Sequence, residues 1–435
     1  MSYKEYPLFT VIIPQKNRAE YLHSTLLTCM AQDYPNFEII VSDDCSDDNS
    51  VHVVKDLMKR DSRIRLFAHE HHLGMRDNFE FALSQVKSGY VIAIGGDDGL
   101  VPGGIWRMYQ ILSETGKELL TWIPASFCYP TPESGAHNIF LVRRKKRNQI
   151  KILKSKDFLQ KLSRTFKYQI DECPMFYIKG VASVELVKRV KSRTVDNSFY
   201  YCPTPDGFSG VVLSGEVEEY AFTNEPLSIG GTTIKSQGQN YRRTDKQSRA
   251  EAEQFFNDNV RRTMHRELAN QPYSPLVTLM TADYLLTAAD LPGWPGKCYV
   301  VSFENLIIQT FKLLEKSYFE DEVLYRELEI LRKIAIQHDL LPLFEKLMKK
   351  TKRRIVKAEN IFGPAISHSY RFDGSEIGIS NIFEASQAVN IISNLSEKMS
   401  IRLTMTVFVN SIKILIRSRK YKVERLPRLS STSQD

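Results

Sequence analysis

Two neighbouring carboxylates, Asp97 and Asp98, follow an apolar run of strand formers, Tyr90–Ile94, and two glycines, Gly95 and Gly96. Acids set just past a buried strand repel each other, and a divalent cation or the donors of a bound ligand relieve that cost. A second pair, Asp43 and Asp44, follows a second apolar run, Phe37–Val41. Ligands of open α/β sheets bind outside the carboxyl ends of strands, so both pairs are expected on one rim. A third acid, Asp206, lies in Cys202-Pro-Thr-Pro-Asp-Gly-Phe-Ser-Gly210, where prolines and glycines pin a turn at a helix start. Its plainer role is to cap that helix.

The elements that must position these acids alternate. Leu8–Ile13, ended by Pro14, reads as a strand, and Asn17 is placed to cap a helix carrying Leu22, Leu26 and Met30. Further strands are expected at Arg63–Phe67, Leu119–Ile123 and Tyr220–Thr223. Met175–Ser183 looks sheet-like, and helices fall near residues 51–58, 76–86, 102–114 and 184–190. This is the pattern of an α/β sheet with helices on both faces. Glu225–Gly238 reads as a glycine- and serine-rich loop. From about residue 245 the chain turns to charged, leucine-bearing segments of helical period: 251–270, 275–289, 303–316, 319–338 and 341–352. The expected division is therefore 1–240, an α/β domain, and 241–435, a mainly helical region.

With 435 residues, 42% hydrophobic and 25% charged, the chain is an ordinary globular protein of two or three domains. A net charge of +8 suits anionic substrates or an anionic surface and does not single out nucleic acid. Six scattered cysteines without metal spacing read as reduced and cytoplasmic. The N-terminus lacks the apolar run of a signal peptide. Arg143–Arg147 is a basic run suited to solvent, an acceptor phosphate or acidic lipid. His69, His71 and His72 do not have the spacing of a common zinc site. Ile401–Ile416 is apolar, too short and interrupted to span a bilayer, and followed by Arg417-Ser-Arg-Lys-Tyr-Lys422. Such a helix lies on an anionic membrane surface, is buried in a core, or pairs with a partner helix. Residues 430–435 read as a disordered end.

Phe9-Thr-Val-Ile-Ile-Pro14, Val41-Ser-Asp-Asp-Cys-Ser46, His72-Leu-Gly-Met-Arg-Asp-Asn78 and Gly95-Gly-Asp-Asp-Gly99 occur in the order and spacing of the family 2 glycosyltransferases. Residues 7 to 240 resemble that bacterial-type family, which has the GT-A fold. The resemblance implies transfer of a sugar from a nucleotide diphosphate donor, UDP-linked by first expectation, to a glycan or lipid-linked hydroxyl. Inversion at the anomeric carbon and Mg²⁺ or Mn²⁺ on the diphosphate are implied with it. Pro14 would border the nucleoside, and Asp44 or Asp43 would accept a hydrogen bond from the base. Arg76 or Asn78 would flank the base. Gly95 and Gly96 would let the backbone approach the ligand. Asp97 would face the ribose or donor sugar, and Asp98 would hold the metal. Asp206 stands where the family places its general base, with Asp171 and Glu172 as runners-up. Lys235, where some relatives have a histidine ligand, would neutralise the leaving diphosphate. Gly95 departs from the Asp-x-Asp-Asp of many relatives. The helical region would shape the acceptor site, mediate self-association, or dock the chain on the cytoplasmic face of the inner membrane, where cell-surface polysaccharides begin. Two rival readings are a nucleotidyltransferase, whose glycine-rich basic N-terminal signature is absent, and a non-catalytic nucleotide-sugar-binding or assembly subunit.

Overall fold

The computed structural model describes residues 6–131, 138–143, 150–236, 250, 263–316, 321–355, 363–364, 369–394, 401–417, 422–427 and 429. The strands are β1 (Phe9–Gln15), β2 (Phe37–Asp43), β3 (Ile64–Ala68), β4 (Tyr90–Ala93), β5 (Gly99–Leu100), β6 (Leu119–Trp122), β7 (Ala125–Cys128), β8 (Ile139–Arg143), β9 (Ile150–Lys154), β10 (Gly180–Ser183), β11 (Glu219–Thr223), β12 (Ser228–Thr232), β13 (Lys352–Ile355), β14 (Gly363–Pro364), β15 (Ser369–Asp373) and β16 (Lys422–Arg425). The main sheet runs β3-β2-β1-β4-β10-β6-β11-β9, with β3, β2, β1 and β4 parallel. Strand β10 runs antiparallel to both of its neighbours. Both faces of the parallel half are buried. Phe9, Val11, Ile13, Ile39 and Val41 enter one core, while Ile12 and Ile40 enter the other. That alternation explains why these strands read as continuous apolar runs.

Helices α1 (Ala19–Met30), α2 (Ser50–Met58) and α3 (Met75–Ser84) fill the connections of the parallel half, and α4 (Gly104–Thr115) leads from β5 to β6. Asn17 does not cap α1: it takes φ +55°, and its side-chain oxygen accepts from the Asp47 amide at 3.0 Å. Pro14 lies inside β1 rather than ending it. The pairing of β1 with β4 stops at Ile12, so the missing N–H of Pro14 costs no ladder bond on that side. Only Gly180–Ser183 of the expected strand at 175–183 joins the sheet. The preceding residues double back, and a Cβ on Gly180 would lie 2.3 Å from the Met175 carbonyl oxygen.

Beyond α5 (Ser155–Thr165), α6 (Val184–Lys191) and α7 (Pro205–Gly215) come α8 (Val277–Ala289), α9 (Phe303–Leu314), α10 (Asp321–Gln337), α11 (Leu341–Lys350), α12 (Ile382–Asn394) and α13 (Ile401–Arg417). Residues 251–262 of the expected helix at 251–270 lie outside the described residues, and Arg266–Leu268 forms a single 3-10 turn. Arg144–Arg147 of the basic run and residues 430–435 also lie outside them.

The packing does not break at residue 240. One hydrophobic core runs from Ile12 through Phe208 to Leu285, Leu331 and Phe344. A second sheet, β14-β15-β8-β7-β12-β5, draws its strands from both sides of the expected boundary. The stretch expected as a loop at 225–238 contains β12, which pairs with β5 on one side and β7 on the other.

Candidate active site

Strands β1, β2 and β4 end side by side, and their exits meet above the sheet. The Asp44 amide donates to the Gln15 carbonyl at 2.9 Å, joining two of the exits. Asn78 closes them from below: Ser42 Oγ donates to its Oδ1 at 2.6 Å, and its Nδ2 donates to the Ser42 carbonyl at 3.1 Å. Asp43 accepts from the Ser46 amide at 2.9 Å and from the Gln15 side-chain amide. Asp44 accepts from the Leu73 and Gly74 amides at 2.6 and 3.2 Å and pairs with His72 at 2.8 Å. Both acids and Asn78 are buried, and all three hold turns in place. Arg76 turns away from the rim. It donates to the Tyr200 carbonyl and pairs with Asp77 and Asp196, clamping the 196–200 segment.

The two acids after β4 separate into an inner and an outer one. Asp98 is 2% exposed, and its two oxygens accept from the Gly95 and Gly231 amides at 2.7 and 2.8 Å. The Tyr177 hydroxyl gives it a third hydrogen bond. Burial, with Asp97 next to it, pushes the Asp98 carboxyl above the usual carboxylate range. Its lone pairs face protein donors, which does not suit the metal ligand expected at this position. Asp97 accepts from Thr233 Oγ1 at 3.0 Å and lies 3.9 Å from the Arg18 Nε.

Gly95 explains the departure from Asp-x-Asp-Asp. A Cβ there would sit 2.7 Å from the Tyr177 hydroxyl and 3.0 Å from Asp98 Oδ2, so Tyr177 occupies the space an acid would need. A Cβ on Gly96 would meet Arg18 at 3.0 Å and Gln15 at 3.1 Å. This glycine lets the β1 and β4 exits touch each other.

Three cations surround this edge, two of which the sequence reading did not single out. Arg18 donates to the Lys16 and Lys235 carbonyls at 3.2 and 2.8 Å, tying the β1 exit to the turn after β12. Lys235 Nζ donates to the Asn17 carbonyl at 2.7 Å. Lys16 Nζ lies 3.1 Å from His72 Nδ1. An edge carrying Lys16, Arg18 and Lys235 around the buried Asp97 suits a phosphate-bearing ligand. Among the described residues no three His, Cys, Asp or Glu side chains are grouped to hold a metal ion. The donor set therefore fits a hard cation only as one carboxylate, Asp97, shared with an anionic ligand.

Asp206 opens α7, behind Pro205. It accepts from the Gly207 amide at 2.8 Å and the Tyr168 hydroxyl at 3.3 Å. Burial raises its carboxyl above the usual range, while the Gly207 and Tyr168 donors pull it part of the way back. Protein surrounds it without sealing it, since the residue keeps partial exposure. The runners-up are engaged by cations: Asp171 pairs with Arg143 at 2.6 Å and Glu172 with Lys161 at 3.0 Å. The C-terminal region takes part here. Tyr284 of α8 hydrogen-bonds Thr204, and a Cβ on Gly207 would lie 2.3 Å from the Tyr284 ring.

The two acid centres are joined by one segment. Tyr168 reaches Asp206 and Tyr177 reaches Asp98. Between them the Phe176 amide donates to Ser209 Oγ at 2.9 Å, and that hydroxyl donates to the Asp206 carbonyl at 2.6 Å.

Residues 10–176 match the family model described as Glycosyl transferase family 2. The chain is similar to the GalNAc(5)-diNAcBac-PP-undecaprenol beta-1,3-glucosyltransferase of Campylobacter jejuni, 34% identical over 109 residues, which are 25% of this chain and 35% of that one. It is similar to the putative teichuronic acid biosynthesis glycosyltransferase TuaG of Bacillus subtilis, 32% identical over 92 residues, 21% of this chain and 36% of that one. The chain thus spans about a third of the length of these curated relatives. Among solved structures, S. aureus TarS 1-349 in complex with UDP-GlcNAc aligns at 14% identity and TM-score 0.44, over 79% of this chain and 92% of that one.

Proposed function

We propose that this chain, whose residues 10–176 match the family 2 glycosyltransferase model, moves a sugar from a nucleotide diphosphate donor to a hydroxyl of a glycan or lipid-linked acceptor. The donor is UDP-linked and the transfer inverts the anomeric centre. The carrying observation is the pair of acid centres held by Tyr168 and Tyr177. One, Asp206, keeps partial exposure and pairs with no cation among the described residues; the other holds Asp97 beside Arg18, with Lys16 and Lys235 at the same edge.

In this reading Asp206 takes the proton of the acceptor hydroxyl as its oxygen attacks the anomeric carbon and the bond from that carbon to the diphosphate breaks. A carboxyl raised by burial is a stronger base than a solvated one. Arg18, Lys16 and Lys235 stabilise the charge that develops on the leaving diphosphate. Asp97, rather than Asp98, faces the donor. Mg²⁺ or Mn²⁺ arriving with the donor would rest on Asp97 and supply further positive charge. Asp43 and Asp44 shape the nucleoside wall beside Pro14 and Gly96. Gln15 adds a buried side-chain oxygen with no partner among the described residues, an acceptor available to a base N–H. The lipid-linked substrate named for the Campylobacter relative favours an acceptor of that class. The six free cysteines favour work on the reducing, cytoplasmic side of cell-surface polysaccharide synthesis.

The test offers UDP-, GDP- and dTDP-sugars with and without Mn²⁺ and follows release of nucleoside diphosphate. Release from a UDP-sugar, lost in Asp97→Ala, is the expected result. Donor binding without release, even when undecaprenyl-linked acceptors are added, would favour the assembly-subunit reading. No binding of any donor by the folded chain would overturn the proposal.

A further inference from the structure

The C-terminal helix α13 is not a core helix. Val407 and Asn410 are buried, and a Cβ on Gly363 of β14 would lie 2.8 Å from Asn410 Nδ2, so this side seats the helix on the second sheet. On the other side Met405, Phe408, Val409, Ile412, Leu415 and Ile416 recur at helical spacing and are between 39 and 63% exposed. Six large apolar side chains in one stripe exceed the scattered exposure usual on a soluble surface.

Charge decides what covers the stripe. Helix α13 contains Arg402, Lys413 and Arg417 and no acid, and Lys413 is exposed. From Ile401 to Arg425 the sequence carries seven basic residues and one acid, Glu424, which is paired with Arg353 at 2.8 Å. A second copy would bring the same positive charge against it. An anionic lipid surface offers both an apolar layer for the stripe and negative charge for its flanks. The 17 residues of α13 make a helix about 25 Å long. That falls short of the roughly 30 Å of a bilayer core, and no helix among the described residues is long and apolar enough to cross a membrane.

We infer that α13 lies in the plane of an anionic membrane surface, with Met405, Phe408, Ile412 and Leu415 inserted among the acyl chains and Lys413 at the headgroups. This inference is independent of the transfer reaction, because lipid binding is read without donor or acceptor.

The experiment sediments the full chain with vesicles of phosphatidylcholine, with and without phosphatidylglycerol. Binding is expected to the anionic vesicles, weakened by salt and weak on phosphatidylcholine alone. Phe408→Glu with Ile412→Glu should abolish it, and Lys413→Glu should weaken it about fivefold or more. Both variants sit on the surface, and a thermal melt matching the parent confirms their folding. Undiminished binding by the double variant, or no binding by the parent, would overturn the inference. So would a concentration-dependent dimer that the double variant dissolves without any vesicle binding, since that would make the stripe a contact between copies.

Discussion

Asp98 and Asp206 are both withdrawn from water, and burial raises both, yet their surroundings differ in kind. Asp98 is closed in by two backbone amides and a tyrosine hydroxyl at the β4 exit. Asp206 accepts from its own and the Gly207 amides and from the Tyr168 and Thr204 hydroxyls at the start of α7, and the residue keeps partial exposure. A perturbed carboxyl is therefore a poor guide to chemistry by itself. Exposure and the charge of the neighbouring groups, not the number of donors, are what distinguish the two acids: Asp98 lies against Asp97, whereas Asp206 has hydroxyls and amides around it.

Exchanging the two acids in turn tests this contrast. The largest effect is expected from Asp206→Asn, which keeps the turn's shape but removes the base. Turnover should fall about 10²–10⁴-fold, while calorimetry finds nucleoside diphosphate affinity unchanged. Retained turnover would erase the distinction. Asp98→Ala should act on the fold: each buried donor left without an acceptor costs about 1–3 kcal/mol, read as a lowered melting temperature. If Asp98→Ala melts like the parent and loses only donor affinity, the inner acid is a ligand residue after all. The smallest effect sharpens the picture of Asp206 alone. Its transfer role needs the ionised form, burial raises its pKa, and the Tyr168 hydroxyl lowers it. The acid limb of the pH–rate profile should therefore lie above the ordinary aspartate value of about 3.9. Tyr168→Phe should move that limb further up, and a downward shift would contradict the assigned sign.

The parallel half of the fold was readable because β1, β2 and β4 are buried on both faces and β2 and β4 are followed by acids. The second sheet was not. Its β5 has two residues, and β12 and β15 come from positions more than a hundred residues away in the chain. No local period announces such pairings. The packing across residue 240 was hidden for a similar reason, since leucine-bearing charged helices look self-sufficient. A signal was nonetheless present in α7, whose Gly207, Gly210 and Gly215 are costly in a helix. A Cβ at these positions would meet Tyr284, Cys173 and Trp294 at 2.3, 2.5 and 2.0 Å, so the glycines mark where the C-terminal region and the 173–175 segment press close. At the site, the acids were legible as acids. Which oxygen faces inward depends on Tyr177 and Gly231, residues far from Asp98 in sequence. Lys16 and Arg18 lay in plain view after β1, and a cation beside an acidic strand exit was the clue to them.

The segment from Tyr168 to Tyr177 grips one acid centre at each end and is stitched to α7 in between. It works as a molecular ruler. Lengthening or shortening it by a single residue would change the gap that donor and acceptor must jointly fill, even with every side chain of the two centres intact. The calibration of this site thus resides in a stretch of chain whose own residues perform none of the proposed chemistry.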